Sequence, residues 1–192
     1  MLPARPAAVA ILAFPETTAS AVYGMYDLFA SAGRDWGFVV SGEPGPELMR
    51  PVVVAAAQAP FDAANGVTLQ PHAAFDQAGP ADIVCVPELA VPPGDDLGDR
   101  FTREIAWIRA RYEAGAIVAS ACSGAVLLAE AGLLDGQDAT THWAYCDALQ
   151  KKYPAIRVHP GATGSGRSTL SRAAWIGDTT TIRRPVRPIA NR

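Results

Sequence analysis

The chain contains little that would tie it to a disulfide scaffold or a metal centre. Its three cysteines, at positions 85, 122 and 146, are odd in number and widely spaced, which argues against a disulfide framework and fits a reducing cytosol. The three histidines, at positions 72, 142 and 159, show no metal-ligand spacing with those cysteines, so a zinc site is not expected. We therefore expect a cytoplasmic protein without a metal ion or another cofactor.

The chain also lacks a long apolar run and a strong charge bias. The apolar stretch at 7–14 is too short to span a membrane, and it does not follow a signal-peptide pattern. The net charge is −3 and charged residues make up 18%, so composition gives no general case for nucleic-acid binding. With 192 residues, 49% of them hydrophobic, the chain is expected to form one globular domain with a sizeable core.

Segments typical of strands and helices alternate along the chain. The apolar runs predict strands at 8–14, 36–42, 50–57, 83–87, 116–120 and 156–158, with a hairpin around 65–69. Helical spacing and capping residues predict helices at 19–32, 99–114, 125–132 and 144–152. This alternation, with short turns rich in glycine and proline, predicts an α/β fold with a mainly parallel sheet.

Cys122 is the most informative single residue. It lies directly between the apolar run at 116–120 and the helix predicted from Ala125, in a turn that contains Gly124. A strand, a tight turn and a helix make the nucleophile elbow, here with cysteine in place of serine. The unpaired N–H groups at the start of the helix would stabilise a thiolate. The alternative is a small apolar core cysteine, because free cysteines are often buried.

Polar residues follow three of the predicted strands, where ligands bind in open parallel sheets. Glu16 and Glu88 each follow a strand-ending proline, and either carboxylate could hydrogen-bond the Cys122 thiol or act as a general acid. A catalytic cysteine usually needs a histidine within hydrogen-bond reach, and His142 is the best candidate. The alternatives are a structural histidine and solvated loop carboxylates.

A reaction at Cys122 would also need donors for a developing negative charge. The N–H groups of Ser123 and of the turn at Glu88 and Leu89 are the candidates, beside Gly124 in the tight turn. These four residues are therefore predicted to bind the ligand or an oxyanion.

The segment 161–192 breaks the α/β pattern, and we predict an irregular tail after a domain that covers 1–160. The tail has few apolar residues, and between positions 167 and 192 it holds six arginines and one aspartate. Composition favours a disordered, solvated segment over a basic arm that contacts phosphate. The stretch from Gly161 to Ser168 resembles a phosphate-binding loop, but no buried strand precedes it and no amphipathic helix follows.

The segment 119–145 resembles the ThiJ/PfpI superfamily, also called class I glutamine amidotransferase-like. The sequence ASACSGAVLLAEAGLLDG followed by QDATTHWAY is a long and specific match. The match is closest to two branches, the N-terminal domain of GlxA-type AraC-family transcriptional regulators and the isonitrile hydratases. The stretches at 14–16, 26–29 and 86–88 also resemble the regulator branch.

The resemblance implies a flavodoxin-like sheet flanked by helices, a homodimer, and Cys122 as the reactive residue with His142 as its neighbour. In the hydratases an acidic residue of the first helix pairs with the cysteine, and the matching position here is Ala21. The tail departs from the family after His159, which suggests a truncated product or a shifted reading frame.

Three functions remain open from the sequence. The first is a ligand-sensing domain of an AraC-type regulator, here without the helix-turn-helix module and so without specific DNA binding. The second is a cysteine-dependent hydratase or hydrolase of small molecules that uses Cys122 with His142 or Glu16. The third is an inactive remnant in which Cys122 is only an oxidation-prone thiol.

Overall fold

The computed structural model describes residues 5–160 and the backbone of 164–165 and 179–182. The strands are Ala7–Leu12 (β1), Met49–Ala55 (β2), Phe61–Asp62 (β3), Thr68–Leu69 (β4), Ala73–Ala74 (β5), Ile83–Val86 (β6), Ile117–Ala121 (β7), Asp138–Ala139 (β8), Arg157–Val158 (β9), Gly164–Ser165 (β10) and Thr179–Ile182 (β11). The helices are Ala19–Ser31 (α1), Arg34–Ser41 (α2), Thr102–Glu113 (α3), Ala125–Glu130 (α4) and Cys146–Lys152 (α5).

A seven-stranded sheet has the order β10-β11-β7-β6-β1-β2-β5. Its five strands from β7 to β5 are parallel, and β11 pairs antiparallel with β7. The predicted α/β fold with a mainly parallel sheet is therefore confirmed. No helix in the described part of the chain is both long enough and apolar enough to cross a membrane.

Both faces of the sheet are covered, as the unbroken apolar run in β1 requires. Val9 and Ile11 point to one face, where α1 packs, and Ala10 and Leu12 point to the other, where α3 and α4 pack. Each face therefore has its own hydrophobic core, and the carboxyl ends of the parallel strands come together at one edge.

The strand predicted at 36–42 is wrong, because this segment forms the helix α2. Gly33 turns the chain at φ 80° after α1, and Gly42 ends α2 in the left-handed conformation at φ 76°. The place beside β1 is taken by β2, which pairs with it along its whole length. The apolar residues of 36–42 therefore have no neighbouring strand to pair with.

The other predicted elements lie close to their expected positions. The hairpin predicted around Gly66 is present as β3 and β4 in antiparallel register, and the helix predicted at 99–114 begins later, at Thr102. Most of the tail predicted at 161–192 lies outside the described residues. Of that segment, Thr179–Ile182 continues the sheet beside β7.

Candidate functional site

The loops that follow β1, β6 and β7 meet at the carboxyl edge of the sheet. The Ala90 N–H donates to the Glu16 carbonyl oxygen at 2.7 Å, which joins the first two loops. The loops after β6 and β7 touch through Ser123 and Leu89. The three segments that the sequence singled out are therefore neighbours in space.

Cys122 occupies the turn between β7 and α4 in a conformation that side chains rarely adopt. Its φ is +53°, and among the described residues it alone combines a side chain with a positive φ. Left-handed backbone at a non-glycine residue stores on the order of 1–3 kcal/mol and is concentrated at functional sites. The residue is half-buried, and the strand, strained turn and helix together have the geometry of a nucleophile elbow.

Gly124 allows the turn to press against the chain after β6. A Cβ atom at this position would lie 2.3 Å from the Pro87 carbonyl oxygen and 2.8 Å from that of Val86. No side chain fits in that space, so glycine is required here by the close approach of two backbones.

Ser123 locks the two loops together with its hydroxyl group. Its Oγ donates to the Leu89 carbonyl oxygen at 2.9 Å and accepts from the Leu89 N–H at 2.8 Å. Both residues are almost completely buried. The Leu89 N–H, one of the predicted oxyanion donors, is therefore already engaged, and it would have to leave Ser123 to bind a ligand.

Thr141 brings the segment that carries His142 against the elbow. The buried Thr141 hydroxyl donates to the Cys122 carbonyl oxygen at 2.9 Å. His142 is half-buried, and its Nδ1 accepts from the Ala144 N–H at 3.2 Å. This bond keeps Nδ1 unprotonated and places the proton of a neutral ring on Nε2. For Nε2 to accept a proton, the ring would need the other tautomer, with its proton on Nδ1, and it would then lose the bond from Ala144.

The two candidate carboxylates have different surroundings. Glu88 Oε1 accepts from the Thr18 N–H at 2.9 Å and from the Thr18 hydroxyl, so it holds the start of α1. Glu16 is half-buried, and its negative charge raises the pKa of Glu104 in α3. Ala21, on the first helix, has no acidic group to offer.

Glu104 is a buried carboxyl that the sequence interpretation missed. Its side chain lies on the inner side of α3 and is 8% exposed. Burial raises the pKa of the Glu104 carboxyl, the neighbouring Arg103 lowers it, and Glu16 raises it further. The signal that could have found it is its spacing, three residues after Phe101 and three before Trp107, both of which are buried.

Tyr145 was also missed, and it connects the elbow to a pocket. Its hydroxyl donates to the Leu89 carbonyl oxygen at 3.3 Å and to the Val91 carbonyl oxygen. Burial raises the pKa of this phenol, an effect that Ser123 partly opposes and Cys122 strengthens. The spacing of three residues from His142 was the available signal, because it puts both rings on one side of a helical turn, with centroids 6.0 Å apart.

The pocket beyond Tyr145 is shallow and mainly apolar. It opens directly to solvent. Six of its lining residues are Val91, Leu97, Val126, Tyr145, Leu149 and Tyr153. A small molecule in this pocket would touch the ring that braces the Leu89 loop, and Leu89 in turn holds Ser123.

The three thiols are in different environments. Cys85 lies in the middle of β6, and burial raises its pKa to about 12. Cys146 is buried, with its Sγ 3.8 Å from the carbonyl oxygens of Thr141 and His142. Cys122 is half-buried at the edge of the sheet, and so is the thiol best placed to meet a ligand. Among residues 5–160, no group of three or more potential ligands is placed to hold a metal ion.

Comparisons with known proteins relate the chain to both regulators and an enzyme. A model of the DJ-1/PfpI family matches residues 8–181. The isonitrile hydratase of Pseudomonas putida is 38% identical over 90 residues, which cover 47% of this chain and 38% of that enzyme. The HTH-type transcriptional regulator CdhR of Pseudomonas aeruginosa is 33% identical over 134 residues, which cover 64% of this chain and 37% of the regulator. The alignments thus span less than two-fifths of either relative.

The fold is also that of solved regulator structures. An AraC family transcriptional regulator from Pseudomonas putida superposes with a TM-score of 0.60 at 14% identity, covering 82% of this chain and 78% of that one. At this identity the similarity bears on the fold alone.

Proposed function

This chain belongs to the DJ-1/PfpI family, and from that membership we propose that it is the small-molecule-sensing domain of an AraC-type transcriptional regulator. The longer of the two alignments with curated relatives, over 134 residues, is with a regulator. In this proposal the domain acts in the cytoplasm, binds its ligand beside Cys122, and does not recognise a DNA sequence by itself. Among the described residues a single α/β unit is present, without a helix-turn-helix.

The observation that carries the proposal is that three of the polar groups predicted to serve Cys122 are bonded to other parts of the protein. Leu89 N–H is bonded to Ser123, His142 Nδ1 to Ala144, and Glu88 to Thr18. Turnover by a cysteine needs a base that can accept the proton of the thiol. It also needs hydrogen-bond donors that are available to stabilise the developing negative charge. A braced turn with a half-buried thiol, next to polar groups that are already bonded, supports a ligand-binding site over a site built for turnover.

Isonitrile hydration is the second candidate, because the hydratase is 38% identical over the region it shares with this chain. In such a reaction the Cys122 thiol would give its proton to His142 or Glu16 while its sulfur bonds to the terminal isonitrile carbon, and the same group would pass that proton on to the carbon. Water would then hydrolyse the resulting thioimidate, releasing an N-substituted formamide and the free thiol. Both steps balance without a cofactor.

A turnover assay with matched cysteine variants separates the two functions. The purified 192-residue chain is incubated with a small alkyl isonitrile, and formamide is followed by chromatography, for the unchanged protein, Cys122→Ser and the buried control Cys85→Ser. Sensing predicts no formamide above background in all three. Formamide from the unchanged protein and from Cys85→Ser, but not from Cys122→Ser, would replace the sensing proposal with the hydratase.

A second measurement tests sensing directly. A compound library is screened for molecules that raise the melting temperature, and each hit is tested for slower alkylation of Cys122 by iodoacetamide, with Cys85 as the internal reference. We expect Cys122 to react much faster than Cys85, because burial raises the pKa of Cys85 to about 12. Hits that stabilise the protein, protect Cys122 and are recovered unchanged support a sensor. Stabilising hits that leave the alkylation rate unchanged would place the ligand elsewhere.

A further inference from the structure

Trp143 is the most exposed large apolar side chain of the described residues, and it lies at the candidate site. Its side chain is 76% exposed, and its ring centroid is 5.3 Å from that of His142, the residue before it. The other six exposed large apolar side chains lie on α1, on α2 and in the β3–β4 hairpin. A single exposed apolar side chain is ordinary on a protein surface, so the case for Trp143 rests on where it lies and how firmly it is held.

The short 3₁₀ turn that begins at Trp143 is anchored on both sides. Before it, the buried Thr141 hydroxyl donates to the Cys122 carbonyl oxygen at 2.9 Å. At its end, the Tyr145 hydroxyl donates to the Leu89 carbonyl oxygen at 3.3 Å. The backbone of Trp143 is therefore fixed between two anchors while its ring is open to solvent. A contact that is in place before the ligand arrives costs little ordering on binding.

The same anchors keep Trp143 close to Cys122. Consecutive Cα atoms are about 3.8 Å apart, so the Cα atom of Trp143 lies within about 8 Å of that of Thr141, which contacts Cys122. On the other side, Ser123 ties the Leu89 loop to the residue that follows Cys122. The segment 141–145 thus spans the gap between the turn at Cys122 and the Leu89 loop, with Trp143 at its middle.

The cations beside this segment are already paired with carboxylates. Lys152, which lines the same pocket as Tyr145, is 2.7 Å from Glu130. Arg100 is 2.6 Å from Asp95, another residue of that pocket. A ligand that binds here through a negative charge would have to compete with these pairs. The exposed indole is a large open contact surface that needs no such exchange.

We propose that Trp143 is a specificity-determining residue of the ligand site beside Cys122, and that it selects molecules that carry a flat aromatic or heteroaromatic ring. The inference rests on the proposed binding site, but not on whether that site senses or turns over its ligand. A flat ring pairs with an indole by offset stacking or edge to face, and such a contact changes affinity or rate by about threefold to tenfold.

The inference is tested by the rates at which maleimides of different shape alkylate Cys122 in the full chain. N-ethylmaleimide carries a small chain, N-phenylmaleimide a flat ring, and N-cyclohexylmaleimide a puckered ring of similar size. In each case the Cys122 sulfur bonds to one carbon of the C=C bond and the thiol proton ends on the other carbon. Mass spectrometry of the Cys122 peptide gives each rate, which is divided by the rate of the same probe with glutathione to remove its intrinsic reactivity. We expect the corrected rate of the phenyl probe to be about three to ten times that of the other two.

Three variants assign the preference to the indole. Trp143→Ala should bring the three corrected rates together. Trp36→Ala is the matched control, because Trp36 is 75% exposed but lies on α2, and it should leave the preference unchanged. Trp143→Leu keeps an apolar side chain without a flat ring, so it should lose the preference for phenyl over cyclohexyl. It also replaces Trp143→Ala if that variant does not retain the far-ultraviolet circular dichroism spectrum of the unchanged protein.

Several results would overturn the proposal. These are equal corrected rates in the unchanged protein, a phenyl preference that persists in Trp143→Ala and Trp143→Leu, an equal loss in Trp36→Ala, and a Cys122 that none of the probes alkylates. Formamide production from an isonitrile would refute sensing but would leave the phenyl preference in place, so the failure of one proposal is distinguishable from the failure of the other.

Discussion

At the carboxyl edge of the sheet the loops are joined by buried hydroxyl groups, whereas at the amino edge the strands are joined by an exposed ion pair. Ser123 and Thr141 make the bonds at the carboxyl edge, and both are almost inaccessible to water. At the amino edge Asp82 accepts from the Ala8 N–H at 2.8 Å and from both terminal nitrogens of Arg5 at 2.6 and 2.7 Å. The side chains of that pair are 67% and 39% exposed.

This contrast shows where the molecule is built to be rigid. A buried hydrogen bond whose partner is lost leaves a polar group that water cannot reach, so its removal is costly. An exposed ion pair exchanges readily with water and is worth little. The strained backbone of Cys122 lies at the edge with the buried bonds, because strain persists only where the surrounding structure holds it in place.

The largest expected effect is the difference in unfolding free energy between the variants Gly124→Ala and Gly24→Ala. The first puts a methyl group 2.3 Å from the Pro87 carbonyl oxygen, and we expect it to lower the free energy of unfolding by about 3 kcal/mol or more. The second adds a methyl group in open space on α1 and should stabilise the helix by up to about 1 kcal/mol. Urea denaturation of both variants measures the contrast, and a tolerated Gly124→Ala would show that the two loops can separate.

Ser123→Ala should have the next largest effect. It leaves the buried N–H and C=O of Leu89 without the hydroxyl that now satisfies both, at a cost of about 2 kcal/mol. Ser41→Ala is the matched control, because its exposed hydroxyl donates only to Gly37 O at 2.7 Å in α2, and should cost less than about 0.5 kcal/mol. Equal losses in the two variants would mean that water replaces Ser123, and the carboxyl edge would then be no more rigid than the amino edge.

The smallest effects are expected in the pH dependence of stability, and they have opposite signs at the two edges. The bond to Arg5, aided by the Ala8 N–H, lowers the pKa of Asp82 from 3.8 to about 2. The stability contributed by Asp82 is therefore present above about pH 4 and is lost as the pH falls toward 2. Burial raises the pKa of Glu104 from 4.5, so its contribution is most favourable below that value and is lost as the pH rises through the raised pKa.

Unfolding free energies of Asp82→Asn and Glu104→Gln, measured from pH 2 to 8, test these signs. Asp82→Asn should reduce the loss of unfolding free energy between pH 4 and pH 2. Near neutral pH it should lower the free energy of unfolding by less than about 1 kcal/mol, as for other exposed pairs. Glu104→Gln should raise stability at neutral pH and remove the decline above pH 4.5. A Glu104→Gln variant that is less stable at pH 7 would show that the ionised carboxylate is favourably paired.

The sequence allows the strands and the elbow to be predicted, but not the contacts that brace the elbow. A cysteine and a glycine between two apolar runs are local features, and their consequence for the backbone is local too. The bond between Ser123 and Leu89 joins residues 34 positions apart, and that of Tyr145 to Leu89 joins residues 56 apart. Neither hydrogen bond produces a periodic pattern in the sequence.

The prediction of a strand at 36–42 was wrong for a different physical reason. Trp36, Phe38 and Val40 alternate as they would in a strand half-covered by a core. The segment 36–42 and β2 both have the pattern of a strand that could pair with β1, and β2 takes that place. The outcome depends on residues far apart in the chain, so the local pattern does not reveal it. Glu104 was missed because a helix is located in a sequence by the apolar residues on its buried side. A carboxylate on the buried side of α3 departs from that pattern.

The strand that carries the elbow has an unusual order of assembly. Its inner neighbour β6 precedes it in the chain, but its outer neighbour, Thr179–Ile182, arrives about 60 residues later and runs in the opposite direction. During synthesis the ribosome would therefore release Cys122 and its turn well before that edge of the strand is paired. In the interval the outer edge of β7 is open to pairing with other chains. The strand β7, which precedes Cys122, is thus among the last strands of the sheet to be paired on both sides, and newly made protein is most vulnerable to aggregation there.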